Sequence, residues 1–215
     1  MLPFQAVIFD LDGTLADSLR DLGEAMNLAL ADFQLPGHPI DAYRAFVGEG
    51  VDVMVRRAAT TNRDVPWDKL VDRYRERYAE LDHRYTAPYP GIPELLDGLT
   101  AAGIKLAVLS NKRDDFTRQL VAKQFSRWEF VDVRGERDGV PRKPDPTAAF
   151  ELALVLNVLP ANIVFVGDTA VDVNTARNAG MRSVGCLWGF RGKAELVHAG
   201  ARDLLSRPAE LLSLR

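Results

Sequence analysis

The stretch AVIFDLDGTLADS, residues 6–18, decides the fold. Its first four residues are apolar, three of them bulky and two β-branched, and a turn of Asp, Gly and Thr follows them at once. A short apolar run closed by turn residues reads as a strand buried on both faces, the pattern of a parallel sheet. Four more runs of this kind follow: IKLAVL at 104–109, EFVDV at 129–133, NIVFV at 162–166 and RSVGCL at 182–187. Helical patterns lie between the later ones. Pro93 opens IPELLDGLTAA and Gly103 closes it, and Pro146 opens a helix that runs towards Asn157. Strands alternating with helices predict an α/β fold, a Rossmann-like parallel sheet with helices on both faces.

Residues 10–103 separate the first two strand runs, far more than a crossover helix requires. Within residues 17–87 no comparable strand run occurs. Helical periodicity instead appears at Leu19, Leu22, Met26, Ala29 and Phe33, again around 51–59, and again at 67–81. The expectation is an α/β core of residues 1–16 and 88–215 with a small helical domain, residues 17–87, inserted into it. The return segment TAPYPG carries Pro88 and Pro90, which favour extended backbone and suit a hinge.

The 215 residues are 47% hydrophobic and 27% charged, with a net charge of −3 and one cysteine. This balance gives no general attraction for polyanions, so nucleic acid is not an expected partner. Arginines do alternate with tyrosines in WDKLVDRYRERYAELDHRY, but Trp67, Leu70, Val71, Tyr74, Tyr78 and Leu81 keep helical spacing. That stretch reads as an amphipathic helix with a solvated face. His38, His83 and His198 lack metal-ligand spacing. No apolar run is long enough to span a membrane, and the N-terminus lacks the basic and apolar regions of a signal peptide. With Cys186 alone no internal disulfide forms. A cytoplasmic protein is expected; the oligomeric state is not legible.

In open parallel sheets ligands collect beyond the carboxyl ends of the strands. Asp10, Asp12, Gly13 and Thr14 follow the first run, Ser110, Asn111 and Lys112 the second, and Gly167, Asp168, Thr169 and Asp172 the fourth, with Lys143 in the loop RKPDP. Carboxylates meeting at one sheet edge repel one another unless a cation sits among them. An all-oxygen donor set suits magnesium, and serine, lysine and turn amides suit a phosphate. Phosphoryl transfer is the chemistry this set fits.

DLDGT, LSNK, RKPDP and GDTAVD occur in the order and against the elements of the four motifs of the haloacid dehalogenase superfamily, which the chain resembles over nearly all of its α/β part. The resemblance implies a phosphatase in which Asp10 is the nucleophile and Asp12 the acid and base. It implies metal ligation by Asp10, the Asp12 carbonyl and Asp168, with Asp172 acting through water or on Lys143. Thr14, Ser110, Asn111 and Lys143 would hold the phosphoryl oxygens. The presence of Asp12 separates the chain from the haloalkanoate dehalogenases and phosphonoacetaldehyde hydrolases, and Leu22 stands where the phosphoglucomutase branch typically has histidine.

DSLRDL, the GEG turn at 48–50, YPG and WGF resemble the phosphoglycolate phosphatase branch, which implies a small phosphate ester as substrate. Glu49 stands where many members carry a small or amide residue, and is expected to face the leaving group. Other branches hydrolyse pyrophosphate, nucleotides or sugar phosphates. A non-catalytic phosphate-binding protein of this fold would be marked by loss of the carboxylates, and here they are intact.

Overall fold

A computed structural model describes residues 2–59 and 65–215. The chain adopts the expected α/β architecture, with a six-stranded parallel sheet in the order β5-β4-β1-β6-β7-β8. The strands are β1 (Ala6–Phe9), β4 (Lys105–Arg113), β5 (Asp132–Glu136), β6 (Ile163–Gly167), β7 (Arg182–Cys186) and β8 (Asp203–Leu205). A second, antiparallel pair consists of β2 (Ala16–Asp17) and β3 (Ala87–Pro88). Helices α1 (Leu19–Asp32), α2 (Val51–Ala58) and α3 (Trp67–Leu81) lie between β2 and β3. Helices α4 (Ile92–Ala101), α5 (Asp114–Gln124), α6 (Thr147–Leu156), α7 (Ala170–Asn178) and α8 (Lys193–Ala199) follow along the sheet.

β1 is central because both of its faces are apolar. Val7 and Phe9 join Leu96, Val108 and Val166 on one side, while Ala6 and Ile8 join Leu109, Leu152 and Phe165 on the other. All four β1 residues are completely buried, as the two-residue period of a strand covered on both faces requires. β1 pairs in register with β4 (Phe9 opposite Val108) and with β6 (Phe9 opposite Val166), which fixes the end of β1 at the heart of the sheet edge.

The strand expected at 129–133 instead begins at Asp132 and runs to Glu136. On this edge strand the ladder passes through charged residues that neutralise one another: Arg134 Nε donates to Asp132 at 2.6 Å, and Arg134 also pairs with Glu151. Phe130, ahead of the ladder, packs on Phe125 with ring centroids 6.4 Å apart. β8 and the β2–β3 ribbon were not expected either, being two or three residues long. Pro88 sits in that ribbon, where a missing N–H costs little.

Helices α1–α3 surround an apolar cluster of their own, with Met26, Tyr43, Val55, Leu70 and Tyr78 at its centre. Phe116 of α5 and Phe190, beyond β7, complete it from the sheet side. The segment is fastened near its root by buried Asp21, which accepts hydrogen bonds from Tyr85 N at 3.0 Å and Thr86 Oγ1 at 2.5 Å.

Candidate active site

The chain leaves β1 through a tight turn in which Leu15 N and Ala16 N both donate to Leu11 O, at 3.0 and 2.9 Å. Gly13 within it has φ +92°, and a Cβ there would stand 2.5 Å from Asp168 Oδ2, so only glycine lets this turn lie against the end of β6. Asp10 is anchored by its own N–H, which donates to Val166 O at 2.9 Å. Past Gly167, Thr169 caps α7: Thr169 N and Oγ1 donate to Asp172 Oδ2 at 3.1 and 2.7 Å. This reciprocal cap aims the other Asp172 oxygen at the sheet edge.

Lys143 reaches that edge from the loop before α6. Its ammonium lies 2.7 Å from Asp10 Oδ1 and 2.7 Å from Asp172 Oδ1, and all three groups are buried. Asp168 accepts from Phe190 N at 2.7 Å and from Thr14 Oγ1 at 3.3 Å. Asp10, Asp168 and Asp172 each offer an oxygen within 4.8 Å of the others. Burial pushes the Asp10 carboxyl up to about 7, with Lys143 opposing and Asp172 adding to the rise. Asp168 is likewise raised well above the ordinary carboxylate range, first by burial and then by Asp10 and Asp172. Burial alone would lower Lys143, but the Asp10 and Asp172 carboxylates outweigh it and raise it. Three buried carboxylates against one ammonium leave an excess of negative charge. An all-oxygen donor set with that excess fits a hard divalent cation.

Asp12 stands apart from this cluster. It accepts from Ser18 Oγ at 2.6 Å and from Lys112 Nζ at 3.0 and 2.7 Å, one bond to each carboxylate oxygen from the ammonium. Ser110 accepts from Lys112 N at 3.2 Å through its Oγ, which keeps its hydroxyl proton available. Asp10, Asp12, Ser110, Asn111, Lys143 and Asp172 line one cavity of about 80 Å³, which residues of α1, α2 and α3 also line.

Three of the expected residues have other partners in this structure. Thr14 does not line this cavity: its hydroxyl is fully buried and turned to Asp168, so it orients that carboxylate. Asn111 lines the cavity, but its amide is engaged with the backbone. Its Nδ2 donates to Lys143 O at 3.1 Å and Gly48 O at 3.2 Å, and its Oδ1 accepts from Lys143 N at 2.9 Å. Glu49 does not face the cavity, although Gly48 and Gly50 do. Its side chain is 44% exposed and pairs with Arg57 at 2.6 Å, a turn tip facing solvent.

Sequence reasoning placed Lys112 at the sheet edge without naming its partner and gave no role to Ser18, Arg75 or Arg142. Lys112 and Ser18 stood inside the quoted motifs LSNK and DSLRDL, where a cation and a hydroxyl near an acid pair were the available signal. Arg142 links the two parts of the molecule: it pairs with Glu136 and with Asp52 of α2, at 2.6 Å to each. Arg191 adds a bond to Val47 O at 3.0 Å, and Arg44 one to Gly189 O at 3.0 Å.

The sequence profile of the haloacid dehalogenase-like hydrolases matches residues 7–186. Phosphoglycolate phosphatase of Aquifex aeolicus is 31% identical over 211 residues, covering 98% of this chain and 96% of that protein. Phosphoglycolate phosphatase of Pseudomonas syringae pv. tomato is 34% identical over 194 residues, covering 86% and 70%. A solved structure from Lactobacillus delbrueckii subsp. bulgaricus, assigned as a phosphoglycolate phosphatase, superposes with a TM-score of 0.91 at 31% identity, covering 98% and 97%. Profile, relatives and superposition agree with the strand-end carboxylates and the buried lysine, and the chain belongs to the haloacid dehalogenase-like hydrolases.

Proposed function

We propose that the chain is a magnesium-dependent phosphatase acting on a compact phosphomonoester, with phosphoglycolate the first candidate. The observation that carries this reading is Lys143 held 2.7 Å from both Asp10 and Asp172 in the wall of one cavity. These residues line a cavity of about 80 Å³, which a compact phosphomonoester suits. The similarity to phosphoglycolate phosphatases points the same way.

Asp10 attacks phosphorus in line, forming an aspartyl phosphate as the ester P–O bond breaks. Asp12 gives its proton to the departing oxygen, then takes one from the water that hydrolyses the intermediate, returning Asp10 and releasing phosphate. Lys143 and the Ser110 hydroxyl hold phosphoryl oxygens, and Asp172 fixes Lys143 in place. Asp10, the Asp12 carbonyl and Asp168 would hold magnesium, with Asp172 behind them; the ion would neutralise the gathered charge of carboxylates and phosphate. Asn111 and Thr14 position Lys143 and Asp168. The helical segment between β2 and β3 is the cap that excludes water and selects the leaving group. No helix among the described residues is long and apolar enough to cross a membrane. Together with the one free, buried cysteine this suits the cytoplasm.

The test is phosphate release from phosphoglycolate, a sugar phosphate, a nucleoside monophosphate and pyrophosphate, with magnesium and with excess chelator. Asp12→Asn should lose turnover while still binding a phosphate analogue. Undiminished activity in chelator, after tightly bound metal is removed, would defeat the metal assignment.

A further inference from the structure

The cavity over Asp12 carries two cations for which phosphoryl transfer has no use. Lys112 is almost wholly buried, its side chain 7% exposed, and its ammonium lies 4.6 Å over the Tyr78 ring while bound to Asp12. Arg75 of α3 lines the same cavity. One of its terminal nitrogens meets Asp72 at 3.1 Å, whereas its Nε is buried with no hydrogen-bond partner among the described residues. A buried donor without an acceptor is costly, and such groups are rare unless something arrives to fill them. Arg75 and Tyr78 stand three residues apart on α3 and so share a helix face, and both line the cavity together with Lys112. Arg113, the third cation of this wall, is already engaged with Asp115 at 2.6 Å. Leu22, Met54, Tyr74, Tyr78 and Phe116 add apolar and aromatic surface to the same cavity. Apolar walls strengthen whatever charge interaction they enclose.

We infer that Lys112 and Arg75 form the subsite for an anionic leaving group, a carboxylate within a few bonds of the ester oxygen, for which Lys112 exchanges its Asp12 partner. The inference rests on the phosphatase reading above and refines it. A neutral leaving group gives Lys112 no reason to release Asp12 and leaves Arg75 Nε unfilled. A carboxylate supplies an acceptor for both cations and frees the Asp12 carboxyl for the ester oxygen. A second phosphate would bring more charge, about −1.5 to −2, and more bulk than a carboxylate, to two cations of which one is already paired with Asp72.

The experiment measures kcat/KM for wild type, Arg75→Gln and Lys112→Met on phosphoglycolate, its neutral amide of the same shape, and propane-1,3-diol bisphosphate, at fixed magnesium and salt. Wild type should prefer the carboxylate over the amide by about tenfold or more, the scale of a charge-assisted hydrogen bond. Each variant should bring that preference to within about twofold, mainly through KM for the carboxylate. If Lys112→Met fails to fold because Asp12 loses its counterion, Lys112→Gln, which still donates to Asp12 but carries no charge, replaces it, and a wild-type preference kept in both Arg75→Gln and Lys112→Gln overturns the subsite. No carboxylate preference in wild type overturns it too, and so does a preference for the bisphosphate. A wild type inactive on all three esters, the amide included, instead overturns the phosphatase reading itself.

Discussion

Replacing Asp10 by Asn should abolish turnover and, in the absence of divalent cation, make the protein more stable. The Asp10 carboxyl is raised from 3.8 to about 7 by burial, against the pull of Lys143. A carboxyl that holds its proton more tightly when folded contributes its full stability below the unfolded value of 3.8 and loses it as pH rises through about 7. At pH 8 the wild type therefore carries a cost of about 4 kcal/mol at this one group, and at pH 5 less than about 2 kcal/mol. Asn keeps the shape, still presents an oxygen to Lys143 and never ionises. For a chain of this size a gain of about 4 kcal/mol corresponds to roughly 8–16 °C in Tm. Thermal unfolding of both proteins in chelator at pH 5 and pH 8 makes the comparison; Asp168, which the Asp10 charge helps to raise, is relieved in the variant and adds to its gain. Adding magnesium should then raise the wild-type Tm more than that of the variant, because the folded wild type keeps the fuller ligand set. A Tm difference equal at the two pH values, or a variant less stable than wild type at pH 8, would refute the claim that this nucleophile is buried at a cost.

Lys143→Met removes the ammonium between Asp10 and Asp172 and leaves two buried carboxylates unpaired, so metal-free stability should fall by about 3–5 kcal/mol in chemical denaturation, with turnover lost. A fall under about 1 kcal/mol would contradict the buried geometry of that pair. Glu49→Asn should leave the relative kcat/KM values for phosphoglycolate, a sugar phosphate and a nucleotide unchanged. It removes only a surface ion pair with Arg57, worth under about 1 kcal/mol in a melt; a changed ranking of substrates would place Glu49 at the site after all.

Positions fixed by topology were legible in the sequence. Asp10 and Asp168 follow apolar strands directly, and parallel neighbours with aligned ends must bring them to one edge. The helical segments at 19–32, 51–58 and 67–81 were equally open to reading, because each buries a stripe with helical period. Side-chain direction was not, since it depends on partners far away in the chain. Thr14 turns to Asp168, Asn111 to the backbone of Gly48 and Lys143, and Glu49 to Arg57. Lys112 was legible as a sheet-edge residue, but its bond to Asp12 was not, because that carboxylate comes from another strand end. The limits of β5 were not legible, because its edge ladder is charged and the apolar run lies ahead of it.

The β2–β3 ribbon has a consequence for how such a protein can change. Ala16 and Asp17 leave the sheet opposite Pro88 and Ala87, which bring the chain back. Because the two ends are paired neighbours, the stretch between them is a closed excursion whose length the sheet scarcely senses: closure entropy grows only with the logarithm of loop length. The segment can therefore be shortened, lengthened or exchanged for a foreign one at a single graft point without retuning β1, β4 or β6. What is exchanged is the wall that meets the leaving group, including Arg75 and the aromatic face of α3, whereas Asp10, Asp12, Asp168 and Lys143 stay behind on the sheet. Diversification of substrate range and preservation of the reaction thus fall on different, separable stretches of one chain.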